Sequence, residues 1–335
     1  MVRKVAMGAR VWLSRMRNSS AARWPKCPSA AKAFVDFALL TARLEAAPFQ
    51  NQRRKGIFPQ SLYLLMVGLL MVVLLAPGVV LAQRADTTAG FNDYVTQAEA
   101  RIARERSNPK TFLDVDSLPS GERAAVMTRL RQGEVVIEKR GNTPQEIAGG
   151  LVHDWVGVVL IPGTSVEQVV AMVRDYDHLA PAYSPDVMQS RLISSKGDDL
   201  HVFMRLRKQK VVTVVLDTEY DVHYGRIDTV HQFSISRSTR VSEIEDAGTA
   251  KEHALPAGHD HGFMWRLNSY WEFEQAADGV LVQCEAISLT RDIPTGLGWL
   301  IGPFVSSIPR ESLQFTLTAT RTAGQERAIG TERAH

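Results

Sequence analysis

The chain has 335 residues, of which 45% are hydrophobic and 22% charged, and its formal net charge is +3. This small net charge combines two unlike parts. Residues 1–82 hold 12 of the 39 Lys and Arg but only 2 of the 36 Asp and Glu, which leaves 27 basic against 34 acidic residues in the remainder. An acidic remainder argues against nucleic-acid binding. The apolar content excludes general disorder.

Cysteine usage excludes two further classes. Cys27 lies in the basic part and Cys284 stands alone after it, so no disulfide can form within the remainder. A zinc site built on several cysteines is excluded for the same reason.

The segment 61–82 has the features of an export signal. It carries no charge, follows the basic run Arg53 to Lys55, and reaches a Pro77-Gly78 break before Val80-Leu81-Ala82. This pattern predicts cleavage after Ala82 and a periplasmic or secreted protein. The alternative is an uncleaved signal anchor, because about 20 apolar residues suffice to span a bilayer. The domain would then be membrane-anchored and extracytoplasmic.

Residues 1–60 form a basic N-terminal extension. It is interpreted as a disordered region, or as the result of a start codon placed too far upstream, because signal segments usually begin close to their cleavage site.

Residues 83–132 are predicted to be a helical lead-in to the main domain. Phe91, Tyr94, Val95, Ala98 and Ile102 recur at helical spacing, and a second short helix is expected over 119–131. Strands are then expected over 134–139 and 151–161, followed by a helix that Ser165 caps.

A long series of strands follows this helix, with turn signals between them. The expected strands cover 187–194, 200–208, 211–224, 231–244, 263–275 and 280–290. Period-2 alternation assigns an inward row to three of them. These rows are Val212 to Tyr224, Phe263 to Phe273 and Val280 to Ser288, each taking every second residue. A C-terminal helix is expected over 295–320, and 324–335 is expected to be a disordered tail.

The order strand, helix, six strands, long helix predicts an α+β fold in which a curved antiparallel sheet wraps around the C-terminal helix. On this order, residues 133–323 resemble the START-like, or SRPBCC, superfamily with its helix-grip fold. The stretches Val158–Val170 and Asp175–Tyr183 are similar to that superfamily's first strand, first helix and following turn. The resemblance implies a hydrophobic cavity between the sheet and the C-terminal helix.

The function that this resemblance implies is binding of a lipid or other hydrophobic small molecule, with no cofactor. The side chains expected to line the cavity are Leu216, Tyr220, Tyr224, Phe233, Arg237, Trp265, Leu267, Trp271, Leu300 and Phe304. Two alternatives stay open because a fold does not determine a function. One is a cyclase- or dehydratase-like enzyme that uses polar residues such as Tyr220, Asn268 or Arg237. The other is a non-binding structural module of the cell envelope.

Other motifs give weaker indications. His253, His259 and His261 could bind a metal ion, although their Pro- and Gly-rich context is typical of a polar loop, and no metal is assigned. No catalytic motif follows a suitable strand, so no catalytic residue is assigned. The basic stripe that includes Arg205 and Arg207 is expected to line the cavity, to be a solvated edge, or to meet an anionic membrane surface.

Overall fold

The computed structural model describes residues 85–210, 212–256, 258–293 and 298–332, without the side chains of 298–306 and 330–332. The predicted N-terminal extension (1–60) and signal segment (61–82) lie outside the described residues. None of the helices in the described ranges is long and apolar enough to cross a membrane.

The described ranges contain four α-helices and three short 3-10 turns. The α-helices are α1 (Ala85–Arg106), α2 (Ser120–Arg131), α3 (Val166–Arg174) and α4 (Gly298–Glu332). The 3-10 turns span Asp114–Asp116, Tyr176–His178 and Ala180–Tyr183.

The strands of the described residues form one large antiparallel sheet with two short accessory strands. They are β1 (Val136–Lys139), β2 (Gln145–Ile147), β3 (Gly150–Pro162), β4 (Val187–Lys196), β5 (Asp199–Gln209), β6 (Thr213–Arg226), β7 (His231–Glu245), β8 (His253–Ala254), β9 (Arg266–Ala276) and β10 (Gly279–Arg291). The order across the sheet is β1-β3-β10-β9-β7-β6-β5-β4, while β2 pairs with β3 and β8 with β7. Strands of 10 to 15 residues follow one another through hairpins from β4 to β7, as the sequence predicted.

Helix α3 begins where the sequence predicted. The Ser165 hydroxyl accepts a hydrogen bond from the backbone N–H of Gln168 (3.3 Å), and the Gln168 side-chain oxygen accepts one from the N–H of Ser165 (3.0 Å). This reciprocal capping box satisfies two backbone donors at the helix start. It confirms the expected cap and identifies Gln168 as the partner.

The inner face of the sheet packs against α3 and α4. Val159 and Ile161 of β3, together with Phe273 of β9, belong to one buried cluster with Leu313 and Leu317 of α4. Alternate residues of β3, β5, β6, β9 and β10 supply this cluster, so the period-2 rows define the inner face. The sheet and the C-terminal helix therefore form the predicted helix-grip arrangement, and the α+β fold class is confirmed.

Helix α4 approaches β3 closely at a glycine. A Cβ atom added at Gly157 would lie 2.6 Å from Leu317 Cδ1 and 3.0 Å from Ile137 Cγ1. Further along, a Cβ atom at Gly324 would lie 2.8 Å from Ile161 Cγ2. The helix therefore runs in the same direction as β3, with two glycines at the closest contacts.

The end of α4 corrects one expectation. Residues 324–335 were expected to be disordered, but the helix continues to Glu332 and Ala328 is buried. The tail lacks an apolar stripe because it uses small residues, and those small side chains let the helix lie against the sheet.

The outer face of the sheet is covered by the N-terminal elements. Phe91, Val95, Ala98 and Ile102 of α1 form a second buried cluster with residues of β3, β9 and β10, including Tyr270. The segment 112–130 forms a third cluster with Val158, Leu160 and Leu281. The central strands are consequently buried on both faces, and the predicted lead-in is a structural layer of the domain.

Candidate functional site

The inner face divides into a closely packed half and a more open half. In the packed half, beside α3, Val159, Phe273, Val280 and Leu317 are completely buried. In the other half, five apolar side chains pack against the same cluster but keep part of their surface exposed. These are Trp155, Met204, Leu267, Trp271 and Ala286.

The open half also contains a belt of small hydroxyl side chains. Ser234 and Ser236 of β7 lie opposite Trp271 and Ser269 of β9, and Ser238 follows on β7. Ser236 is buried, whereas Ser238 and Ser269 are half-buried. Serines between large indole rings leave space next to the sheet and supply neutral hydrogen-bonding groups. This combination is typical of a site for a mainly apolar small molecule.

Four of the predicted ligand-binding residues lie on the inner face. Tyr220 and Leu216 are buried there, Leu267 and Trp271 are half-buried, and all four face the side of α4. Burial raises the pKa of the Tyr220 hydroxyl to about 12, so this hydroxyl is neutral.

Tyr224 is also on the inner face, but at the packed end. Its hydroxyl donates to the carbonyl of Val173 (3.2 Å) and lies 3.5 Å from the hydroxyl of Tyr176. The hydrogen bond to Val173 links β6 to α3. Leu300 and Phe304 belong to the first turns of α4, and their side chains lie outside the described residues.

Three predicted cavity residues point away from the inner face, which corrects the prediction. Phe233 lies under the guanidinium of Arg106, with the guanidinium carbon 3.9 Å from the ring centroid. Arg237 donates to Glu99 of α1 (2.6 Å). Trp265 belongs to the outer cluster with Phe91 and donates its indole N–H to Asp260 (2.6 Å).

The physical reasons differ between these residues. Phe233 and Arg237 occupy the odd positions of β7, which face α1, while the even positions hold the serines. Trp265 precedes the start of β9 at Arg266, so the alternation of that strand does not extend to it. Asn268, considered as a polar cavity residue, is likewise on the outer side, where its side chain contacts the hydroxyl of Tyr270.

The outer face holds an array of buried ion pairs under α1. Arg101 pairs with Glu285 (2.5 Å), Arg106 pairs with Glu272 (2.8 Å), and Tyr94 donates to Asp154 (2.8 Å). Burial raises the pKa of Glu272 to about 7, and burial together with the charge of Glu285 raises that of Asp154. Asp154, Glu272 and Glu285 thus hold the N-terminal layer in place and do not face the inner side.

The predicted histidine trio does not converge. His253 pairs with Glu245 (3.3 Å), whereas the ring of His261 donates to Glu243 (2.6 Å). Within the described ranges, no three potential ligand side chains are arranged to hold a metal ion. No local sequence pattern indicated the contact between His261 and Glu243, because these residues are 18 positions apart in the chain.

Arg205 of the basic stripe on β5 lies on the outer face. The Arg205 guanidinium binds both carboxylate oxygens of Asp217 (2.7 and 2.9 Å) and also Glu252 (2.8 Å). Arg205 is therefore neutralised by acidic neighbours and does not line the inner face.

Two inner-face residues of β3 were not predicted as site residues. Trp155 lies in the same phase as Val159 and Ile161, and His153 precedes it by two positions on the same face. The indole N–H of Trp155 and the Nδ1 atom of His153 are buried and have no hydrogen-bond partner in the described part of the chain. The alternation of β3 is the signal that could have identified both.

Several solved structures are similar to this chain. A STAR-related lipid transfer protein from Xanthomonas axonopodis is 20% identical to this chain. The match covers 57% of this chain and 98% of the other protein, with a TM-score of 0.35. The Zhui aromatase/cyclase from Streptomyces sp. R1128 is 11% identical over 53% of this chain and 95% of its own (TM-score 0.35). The human StarD13 lipid transfer and protein localization domain is 9% identical over 62% and 98% (TM-score 0.34).

No protein-family model matches the chain, and no curated protein matches it. The helix-grip assignment therefore depends on the element order and sheet topology of the chain itself.

Proposed function

We propose that this chain is an exported protein that binds a lipid or another hydrophobic small molecule between the inner face of the sheet and α4. The observation that carries the proposal is the open half of the inner face. Its apolar side chains belong to the core cluster yet remain partly exposed. A bound apolar molecule would remove this surface from water.

Burial of apolar surface alone can supply the free energy for binding such a molecule, and no chemical reaction is needed. Burial of apolar surface contributes about 25 cal/mol per Å². A ligand that buries about 400 Å² would gain roughly 10 kcal/mol before the costs of immobilisation, which commonly consume several kcal/mol. If these costs are about 4 kcal/mol, about 6 kcal/mol remains, which corresponds to a dissociation constant of tens of micromolar.

Native mass spectrometry tests the proposal directly. Protein purified from cells that express the full chain should carry a bound molecule that organic extraction releases. Ser269→Phe would place a large side chain in the open half and should abolish the bound mass. Ser195→Phe, at an exposed position of β4, is the matched control and should retain it. A bare mass for the unchanged protein would favour the non-binding envelope module.

Export rests on the sequence of 61–82 and on the acidic balance of the remainder. N-terminal sequencing of protein recovered from the cell envelope and from the medium tests it. Cleavage near Ala82 would give Gln83 as the first residue, whereas an uncleaved chain in the membrane fraction would support the signal anchor.

A second candidate function is acid–base catalysis on the bound molecule. It is favoured by the pair of His261 and Glu243, because a carboxylate that accepts from Nδ1 orients an imidazole as a base. Glu243 also accepts from the backbone N–H of His261 (3.0 Å) and pairs in register with Leu216 of the inner face. If the pair is catalytic, His261→Asn should change the chemical structure of the extracted molecule. Identical molecules from both proteins would exclude this role.

A further inference from the structure

His153 is a polar side chain buried on the inner face of the sheet. It is completely buried, and its Nε2 atom lies 3.1 Å from the hydroxyl oxygen of Thr290. Thr290 in turn donates its hydroxyl proton to the carbonyl of Arg291 (3.3 Å). Because a hydroxyl has one proton and Thr290 donates it to Arg291, we assign Nε2 as the donor to Thr290.

This chain of hydrogen bonds determines the tautomer of His153. With the proton on Nε2, Nδ1 carries a lone pair and can only accept. Burial lowers the pKa of this imidazole to about 4, so the ring is neutral near pH 7. Nδ1 is thus a buried hydrogen-bond acceptor without a partner in the described residues.

Trp155 supplies the complementary group. Its indole N–H can only donate, and it is also buried without a partner among the described residues. The side chains of residues two apart on a strand point the same way, and their Cα atoms are separated by about 6.6 Å. One small group between them could contact both atoms at hydrogen-bonding distance.

The alternatives for that group can be decided by its hydrogen-bonding capacity. A carboxylate can only accept hydrogen bonds, so its oxygen lone pair would repel the lone pair of Nδ1. An ammonium group donates only and would leave the indole N–H unsatisfied, and an ether accepts only. A hydroxyl both donates and accepts, so it can satisfy both buried groups.

We propose that His153 and Trp155 form the polar end of the ligand site and bind a free, uncharged hydroxyl group on an otherwise apolar molecule. The hydroxyl would donate to Nδ1 of His153 and accept from the indole N–H of Trp155. This inference rests on the proposed function. It adds that the ligand is an alcohol, and that its hydroxyl lies at the β3–β10 side of the inner face, where Ser288 pairs with His153.

The test is a displacement assay with N-phenyl-1-naphthylamine, an uncharged fluorescent probe, on protein purified from cells that express the full chain and then stripped of bound molecules. The competitors are 1-hexadecanol, its methyl ether and hexadecanoate. The unchanged protein should bind the alcohol about tenfold more tightly than the ether, because only the alcohol can donate a hydrogen bond to Nδ1, and hexadecanoate should be weakest.

Three variants assign this preference. His153→Phe should reduce the alcohol-to-ether ratio to about threefold or less, because only the alcohol can donate to Nδ1. Trp155→Phe should weaken the alcohol and the ether alike and leave the ratio unchanged, because both oxygens can accept from the indole N–H. Trp271→Phe is the matched control, because its indole N–H already donates to Ser269 (3.2 Å) on the same face. It should weaken all three competitors equally and leave the ratio unchanged.

The outcomes separate the two levels of the proposal. If the probe and all competitors fail to bind, the proposed function is wrong and this inference is overturned with it. If they bind with equal strength, or if hexadecanoate binds best, apolar binding stands and the hydroxyl assignment is overturned. An alcohol preference that persists in His153→Phe would also overturn it. If a variant does not fold, the extracted native molecule decides, since it must gain an acetyl group on treatment with acetic anhydride.

Discussion

Replacing Arg106 by methionine tests whether α1 is held to the sheet by buried charge pairing. Arg106 Nη2 lies 2.8 Å from Glu272 Oε1, and the two side chains are 11% and 4% exposed. The guanidinium also covers the ring of Phe233. Methionine keeps much of the apolar stem but leaves the Glu272 carboxylate without its counter-ion.

The expected cost depends on pH. Breaking a buried pair from one side typically costs about 3–5 kcal/mol, because the remaining charge stays buried. The pKa of Glu272 is already raised to about 7 by burial, compared with 4.5 for the free side chain. Without Arg106 its pKa rises further, so the carboxyl is protonated in the folded variant at pH 5.5 and the cost there should be much smaller than at pH 8.

Urea unfolding at pH 8 and pH 5.5 measures both values. Arg129→Met is the control, since Arg129 and Glu134 form a pair whose side chains are 51% and 49% exposed, and its loss should cost less than about 1 kcal/mol. Adding Glu272→Gln to Arg106→Met should recover most of the lost stability at pH 8. A cost of Arg106→Met that is the same at both pH values and is not recovered by Glu272→Gln would refute this account of the outer layer.

Three further predictions concern other contacts. Because the folded-state pKa of Glu272 is raised, its contribution to stability decreases as pH rises from about 4.5 to 7, by about 3 kcal/mol at most, and Glu272→Gln should remove this decrease from thermal unfolding curves. Gly157→Ala should destabilise the fold by about 1–3 kcal/mol, because the new methyl group meets the C-terminal helix. Gly121→Ala, in a helix with nothing within 4 Å, should be neutral or slightly stabilising in the same urea assay. Tyr183→Phe should cost about 1 kcal/mol by removing the buried 2.7 Å hydrogen bond to Thr320, and an unchanged urea midpoint would contradict this.

The order and type of the elements could be predicted because local signals specify them. Ser165 and Gln168 mark the start of α3, and alternation along β6 places Tyr220 and Val222 inward, as the structure confirms. The α+β helix-grip arrangement follows from the number and order of these elements, which is a property of the whole chain and tolerates errors at individual strand ends.

The assignment of side chains to the inner face was less successful on β7 and before β9. A strand whose two faces are both covered carries apolar residues on both, so alternation does not reveal which face meets α4. On β7 the inner positions hold serines and the outer ones hold Phe233 and Ile235, which reverses the expected polarity. The apolar stripe of α1 was visible in the sequence and predicted that this helix packs against another surface. The pattern did not identify that surface as the outer face of the sheet.

Local patterns were enough to predict which segments are helices and strands and where the main turns lie, and composition alone shows that the part after residue 82 is acidic. These properties depend on neighbours along the chain and on composition. Folding is what places α1 on the outer face, brings Arg106 to Glu272 there, and puts His153 and Trp155 together on the inner face. Such pairings join residues up to 184 positions apart, as for Arg101 and Glu285. The distance and burial that give them their energy exist only in the folded chain.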